Sequence, residues 1–197
     1  MSRFTNVAEF NGISLYSGDK SVDGFAEEIL AAMERQLLNA LERHSQVLVA
    51  IMTVNFPGEL EATAETRNRC FQHFIQEYSR RLRLKGFDPH YVWVREIGEH
   101  GQLHYHLALL LDGNAIRYFR SPTEVNAYWT NALLREYVFN GTCCVNLASF
   151  NGSHSLMVHK GDQAAYAEAM GRMSYLAKLF SKWETGANCR CWSQSHL

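Results

Sequence analysis

Apolar residues recur along this chain with two different periods. Over 46–56 (QVLVAIMTVNF) they run almost unbroken and are rich in β-branched side chains, the pattern of a central strand buried on both faces, and Pro57-Gly58 ends it. From Ser21 to about Arg43 the spacing is helical instead, with Leu30, Met33, Leu37, Leu38 and Leu41 on one stripe. Residues 63–85 repeat the helical period through Cys70, Phe71, Phe74, Ile75, Tyr78 and Leu82, and Gly86 supplies the stop. Residues 91–96 and 103–111 are strands joined by a short glycine-bearing connection, which predicts a hairpin. Ser121-Pro122 opens a helix to about Tyr137. Short strands at 142–148 and 155–159 flank Asn151-Gly152, and Asp162 caps a last helix running to about Lys182. Residues 1–20 read as a loop with weak strand character at 13–16.

Hairpins interleaved with helices predict an α+β fold, a central antiparallel sheet of about five strands with helices packed on it. Three parts follow: an N-terminal helical appendage (1–45), a main domain (46–182) and a C-terminal tail (183–197) that covers the sheet edge. The chain has 197 residues, 47% of them hydrophobic and 20% charged, with 3 prolines, so it can bury a core and wholesale disorder is excluded. Its longest apolar stretch, 47–52, is far short of the ~18–20 residues of a membrane span. The start of the chain lacks the apolar run of a secretion signal, so a cytoplasmic protein with no membrane partner is expected. The odd number of cysteines argues against a disulfide framework, and Cys143-Cys144 and Cys189-x-Cys191 lack zinc-knuckle spacing. A net charge of −1 argues against avid, sequence-indifferent nucleic-acid binding, although Arg67, Arg69, Arg80, Arg81, Arg83 and Lys85 crowd one segment. Arg80, Arg81 and Arg83 read first as a solvated helix face and second as phosphate contacts.

The chemistry concentrates in 96–106 (EIGEHGQLHYH). On a strand His104 and His106 share one face, while Leu103, Tyr105, Leu107, Leu109 and Leu111 form a wholly apolar face opposite. If Ile97 and Leu103 close the hairpin, Glu96 lies directly across from His104. Two readings fit. The imidazoles are half-buried strand residues with ordinary hydrogen bonds, or they join Glu96 in a divalent-metal site with open coordination positions. On the last helix, Ala169, Met173, Leu176 and Phe180 form a core stripe. Tyr175, Lys178 and Lys182 share another face with Gly171 between them. This is either a solvated polar face or an electropositive platform for a phosphate backbone, in which the ammonium groups lower the phenol pKa. Tyr166 points toward the core, which leaves one candidate nucleophile. His100, in the hairpin connection, is loop filler or a DNA contact; Arg95 and Lys182 are further candidate DNA contacts. Trp93 reads as core.

A hydrophobic strand ending Thr53-Val54-Asn55-Phe56, then Glu96-x7-His104-x-His106, then Tyr175-x-x-Lys178 resembles, in order and spacing, the HUH endonuclease superfamily of rolling-circle replication initiators, relaxases and some transposases. Residues 91–96 (YVWVRE), 103–106 (LHYH) and 174–178 (SYLAK) more closely resemble inovirus-type replication proteins and the YagK/YfjJ C-terminal domain family; the resemblance covers roughly 46–195. It implies an RRM- or ferredoxin-like palm with the metal on one sheet face. It also implies Mg²⁺ or Mn²⁺ on Glu96, His104 and His106, and attack by Tyr175 on a scissile DNA phosphate with Lys178 stabilising charge. The implied substrate is single-stranded or locally melted DNA, and unwinding needs a separate helicase because the chain has no helicase segment. The alternatives are a non-catalytic RRM-like nucleic-acid-binding module and a hydrolase that uses the metal with water.

Overall fold

Strand alternation builds this molecule around one sheet with two apolar faces. The structure, a computed structural model, describes residues 4–5, 8–16, 24–58, 60, 64–98, 102–119, 122–138, 140, 145–149, 152–178 and 191–196. Its elements in chain order are β1 (Phe4–Thr5), β2 (Glu9–Phe10), β3 (Ile13–Ser14), β4 (Phe25–Ala26), α1 (Glu27–Arg43), β5 (Gln46–Asn55), α2 (Ala64–Leu84), β6 (His90–Ile97), β7 (Leu103–Asp112), α3 (Thr123–Leu133), β8 (Val145–Leu147), β9 (Leu156–His159), α4 (Gln163–Met173), a 3-10 turn (Ser174–Ala177) and β10 (Trp192–Gln194). The main sheet runs β10-β6-β7-β5-β8, with β9 also on β5, and every pairing is antiparallel. The expected α+β class holds, and the layout is compatible with a ferredoxin-like palm. The strand beyond the expected five is β10, which belongs to the segment read as a tail and pairs with the edge of β6.

The odd residues of β7 (Leu103, Tyr105, Leu107, Leu109, Leu111) are buried on one face against Phe71, Phe74 and Tyr78 of α2 and Trp129 of α3. The other face carries Ala108, Leu110, Val92, Val94, Val49 and Ile51, and it is covered by α1, α4 and the 3-10 turn. Helix α1 forms one wall of the second core: Leu30, Met33 and Leu37 are fully buried. Leu38, expected on that stripe, is 46% exposed, and Ile29 and Ala40 take the buried positions. Among the described residues the helix begins at Glu27 and not earlier, because Phe25–Ala26 pairs as β4 with β1; residues 21–23 of the expected helix lie outside the described residues.

Other differences have local causes. Helix α3 begins after Pro122 with no side-chain cap and stops at Leu133; residues 134–136 form a turn, and Ser121 lies outside the described residues. Strands β8 and β9 do not pair with each other but lie end to end along β5, against 52–54 and 46–49. Helix α4 starts where expected, with the Asp162 carboxylate accepting from the Ala165 N–H (3.0 Å), but it ends at Met173 and tightens into the 3-10 turn. Lys178 then leaves the helix with extended ψ (144°), and its backbone bridges to Phe25.

A buried polar network fastens β10. The Gln36 Nε2 of α1 donates to the Ser195 carbonyl (2.9 Å), Ser195 Oγ donates to Gln36 Oε1 (2.8 Å), and the Tyr91 N–H donates to Ser195 Oγ (3.1 Å). Among the described residues no helix is long and apolar enough to cross a membrane. If α1 is part of the core, Leu30→Ala should cost about 2–5 kcal/mol in urea unfolding. Leu38→Ala, on the exposed side, should change stability by no more than about 0.5 kcal/mol.

Candidate functional site

The site forms where the helix-covered face of the sheet runs out. The register between β6 and β7 pairs Ile97 with Leu103 and Glu96 with His104, as the hairpin reading required. Val94 then faces His106, so one step of the pleat sets the second imidazole beside the first, with ring centroids 4.8 Å apart and nearly perpendicular. Both rings turn Nε2 toward one carboxylate oxygen. Glu96 Oε2 lies 3.2 Å from His106 Nε2 and 3.7 Å from His104 Nε2. Their other nitrogens face outward to fixed partners: His106 Nδ1 meets Thr53 Oγ1 at 3.0 Å, and His104 Nδ1 lies 3.4 Å from the Gln102 carbonyl.

This cluster could bind a metal ion. One ligand atom from each of Glu96, His104 and His106 lies within 4.8 Å of the others, and among the described residues it is the one such group of three. Glu96 and His106 are buried and His104 is half-buried. Partners on the outer nitrogens hold each ring's orientation, and a carbonyl acceptor on Nδ1 leaves the Nε2 lone pair for a cation. Thr53, which the sequence places in the Thr53–Phe56 strand motif without a role for its side chain, is the partner of His106. Its signal is positional: on β5 it lies directly opposite His106 of β7, a hydroxyl in an otherwise apolar run.

Tyr175 stands beside this cluster, its ring 5.7 Å from that of His106 and nearly perpendicular to it. The 3-10 turn makes three residues a full turn, so positions i and i+3 eclipse. Lys178 accordingly sits directly over Tyr175, with Nζ 3.3 Å from the ring centroid. That geometry corrects the expected electrostatics. The ammonium group lies on the ring face, and the phenol pKa is raised, first by burial, then by the Glu96 carboxylate and then by Tyr16. Gly171 does not offer a bare flank to phosphate either, because the Ser14 carbonyl covers it; a Cβ there would lie 3.1 Å from that oxygen.

The remaining candidates divide. Arg95 is corrected as a DNA contact: alternation sends it to the face opposite Glu96, where it is fully buried, with Nη1 3.1 Å from Asn68 Oδ1. Tyr105 OH donates to the same Asn68 oxygen (3.0 Å). His100 and Lys182 lie outside the described residues, as do Phe180, Cys143, Cys144 and Cys189. Tyr166 packs at the second core, and burial with Glu34 nearby pushes its phenol up to about 12. Trp93 is 3% exposed, in the aromatic cluster around Phe71. Arg80 and Arg81 pair with Glu77 and Glu124 on the exposed face of α2.

The family model for the YagK/YfjJ C-terminal domain matches residues 6–195. No curated protein and no solved structure matches the chain. The match begins well before β5, so α1 and the hairpin ahead of it fall within the matched span along with the cluster and Tyr175.

Thr53→Val keeps shape but removes the partner of His106 Nδ1. It should weaken Mn²⁺ binding in calorimetry by about 10–100-fold, while circular dichroism and melting stay those of the parent.

Proposed function

Because the chain belongs to the YagK/YfjJ C-terminal domain family and sets a phenol beside a two-histidine, one-glutamate cluster, we propose that it is a metal-dependent, single-stranded DNA nicking and joining endonuclease of the HUH type. Its role in this reading is to start rolling-circle-type replication of a phage, prophage or satellite element. The observation that carries the reading is the 5.7 Å approach of the Tyr175 ring to His106. A nucleophile and a ligand set for a Lewis acid then share one end of the sheet.

Glu96, His104 and His106 would hold Mg²⁺ or Mn²⁺, which when bound polarises phosphoryl oxygens and orients an in-line displacement. Tyr175 Oη attacks the scissile phosphorus. The Oη–P bond forms as the P–O3′ bond breaks, the phenol proton passes to solvent, and the 3′ oxygen leaves and is protonated to a free 3′-OH. The 5′ end stays on the protein as a phosphotyrosine, so attack by a 3′-OH reverses the step and joins the ends without a nucleoside triphosphate. Lys178 supplies positive charge beside the developing phosphorane. A protein phenol must reach a backbone free of its complement, so the partner is single-stranded or locally melted DNA, with a separate helicase to unwind it.

The protonated phenol sets the pH dependence. Tyr175, whose pKa is raised, is protonated near neutrality, so the reactive phenolate grows with pH. Once Glu96 is engaged as a ligand, its charge no longer holds the phenol proton, which brings that pKa down. The same raised value favours one second reading, hydrolysis by a water molecule with Tyr175 as a bystander.

Incubation with Mn²⁺ and single-stranded DNA carrying the element's origin separates these readings. The wild type should form a covalent adduct that Tyr175→Phe abolishes, and His104→Ala or His106→Ala should abolish both the adduct and Mn²⁺ binding. Cleavage that survives Tyr175→Phe but fails in His106→Ala identifies the hydrolase. DNA binding with neither adduct nor cleavage identifies a binding module. Lys178→Ala should slow nicking more than it weakens DNA binding. The nicking rate should rise by about tenfold per pH unit above neutrality while the phenol remains mostly protonated.

A further inference from the structure

Tyr16 is a large aromatic side chain on the surface, 56% exposed, yet it is anchored. Its backbone N–H donates to Ser174 Oγ (2.8 Å), and that hydroxyl, on a fully buried residue, donates to the Gly171 carbonyl (2.6 Å). The preceding residue, Leu15, is buried, and its N–H donates to the Ala8 carbonyl (2.9 Å). The Ser14 carbonyl rests against Gly171, so the β2–β3 hairpin is pressed onto the same turn of helix that carries Tyr175. The two phenol rings end 6.2 Å apart, tilted by 35°. Lys178 covers Tyr175 at 3.3 Å, and the edge of His106 closes the row.

Packing does not account for this placement. Most of the Tyr16 ring faces water, and no hydrogen bond of its hydroxyl is seen among the described contacts, while its backbone is held by the residue next to Tyr175. What a fixed, solvent-facing aromatic face beside a phosphate-attacking group can bind is another flat aromatic group, and each unpaired nucleobase offers one. We propose that Tyr16 is a stacking platform for an unpaired nucleobase that flanks the phosphate presented to Tyr175. This inference rests on the nuclease reading and adds to it a base-binding position contributed by the segment ahead of α1. The platform is sequence-tolerant, because every base has a π face, and it rejects duplex, whose bases are already stacked on their neighbours.

The test uses the full chain, fluorescein-labelled dT12 and fluorescence anisotropy with EDTA present, so that it reads binding without turnover. The wild type should bind dT12, Tyr16→Ala should weaken it by about 5–100-fold, and Tyr16→Phe should stay within about twofold, since the ring and not the hydroxyl stacks. The much weaker binding to dT12·dA12 duplex should not depend on residue 16. Irradiation of a complex with a 5-iododeoxyuridine oligomer should cross-link the peptide that contains Tyr16. Equal melting temperatures for the three proteins show that the fold is kept. Wild-type affinity in Tyr16→Ala overturns the platform and leaves the nuclease reading standing. Loss in Tyr16→Phe equal to that in Tyr16→Ala assigns the effect to the hydroxyl and overturns it as well. A wild type that binds no single-stranded DNA, with or without Mn²⁺, sinks both.

Discussion

The pairing of β6 with β7 governs everything this protein can do with Glu96, His104 and His106. Side chains alternate with a period of two, so a slip of one residue would move both imidazoles onto the α2 face and turn Tyr105 and Leu107 outward. The cluster itself does little to forbid that slip. What forbids it is the apolar set on the far side of the same strand, where each buried leucine or tyrosine is worth about 1.5–3 kcal/mol relative to exposure. The second core adds Val92, Val94, Ala108 and Leu110 on the near side. The three side chains of the cluster are therefore positioned by hydrophobic burial several residues away.

The site lies at the boundary between that dry face and water. Helix α4 covers the sheet as far as Met173; one tighter turn then brings Tyr175 to the rim and lets Lys178 fall back over it. Three residues per turn set the lysine more squarely over the tyrosine than an α-helix would, where i and i+3 are offset by about 60°. The antiparallel bridge from Lys178 to Phe25 ends the helix here, so β4 and α1 help define the surroundings of the phenol. Burial and the neighbouring Glu96 carboxylate both raise the pKa of that phenol.

The central strands, the long helix on the far side and the opposed glutamate were legible from the sequence, because each depends on a local period: two for β5–β7, 3.6 for α2. Arg95 was legible too, had alternation been carried one residue beyond Glu96. Other features were not. Nothing in residues 8–16 announces that they rest on α4, since that contact is made through backbone groups, the Ser14 carbonyl and the Tyr16 N–H, which look alike in every sequence. The shift of α4 into a tighter turn likewise follows from a tertiary bridge and not from a breaker residue. The value of Thr53 emerged only when β5 was set in register with β7. The sign of the tyrosine shift was set by burial and by the Glu96 carboxylate on a neighbouring strand, neither of which the spacing of Tyr175 and Lys178 encodes.

Strand β10 has a consequence for how the molecule comes into being. Trp192 pairs with Val94, roughly a hundred residues earlier in the chain, and Gln36 of α1 is locked to Ser195 across a still longer span. During synthesis β6 therefore waits on the ribosome as an open strand edge, its unpaired backbone groups available to other nascent chains until residues 192–194 have emerged. Closure over so long a loop is slow. The vulnerable interval runs from completion of the β6–β7 hairpin to the emergence of residues 192–194, while its outer border is still uncovered.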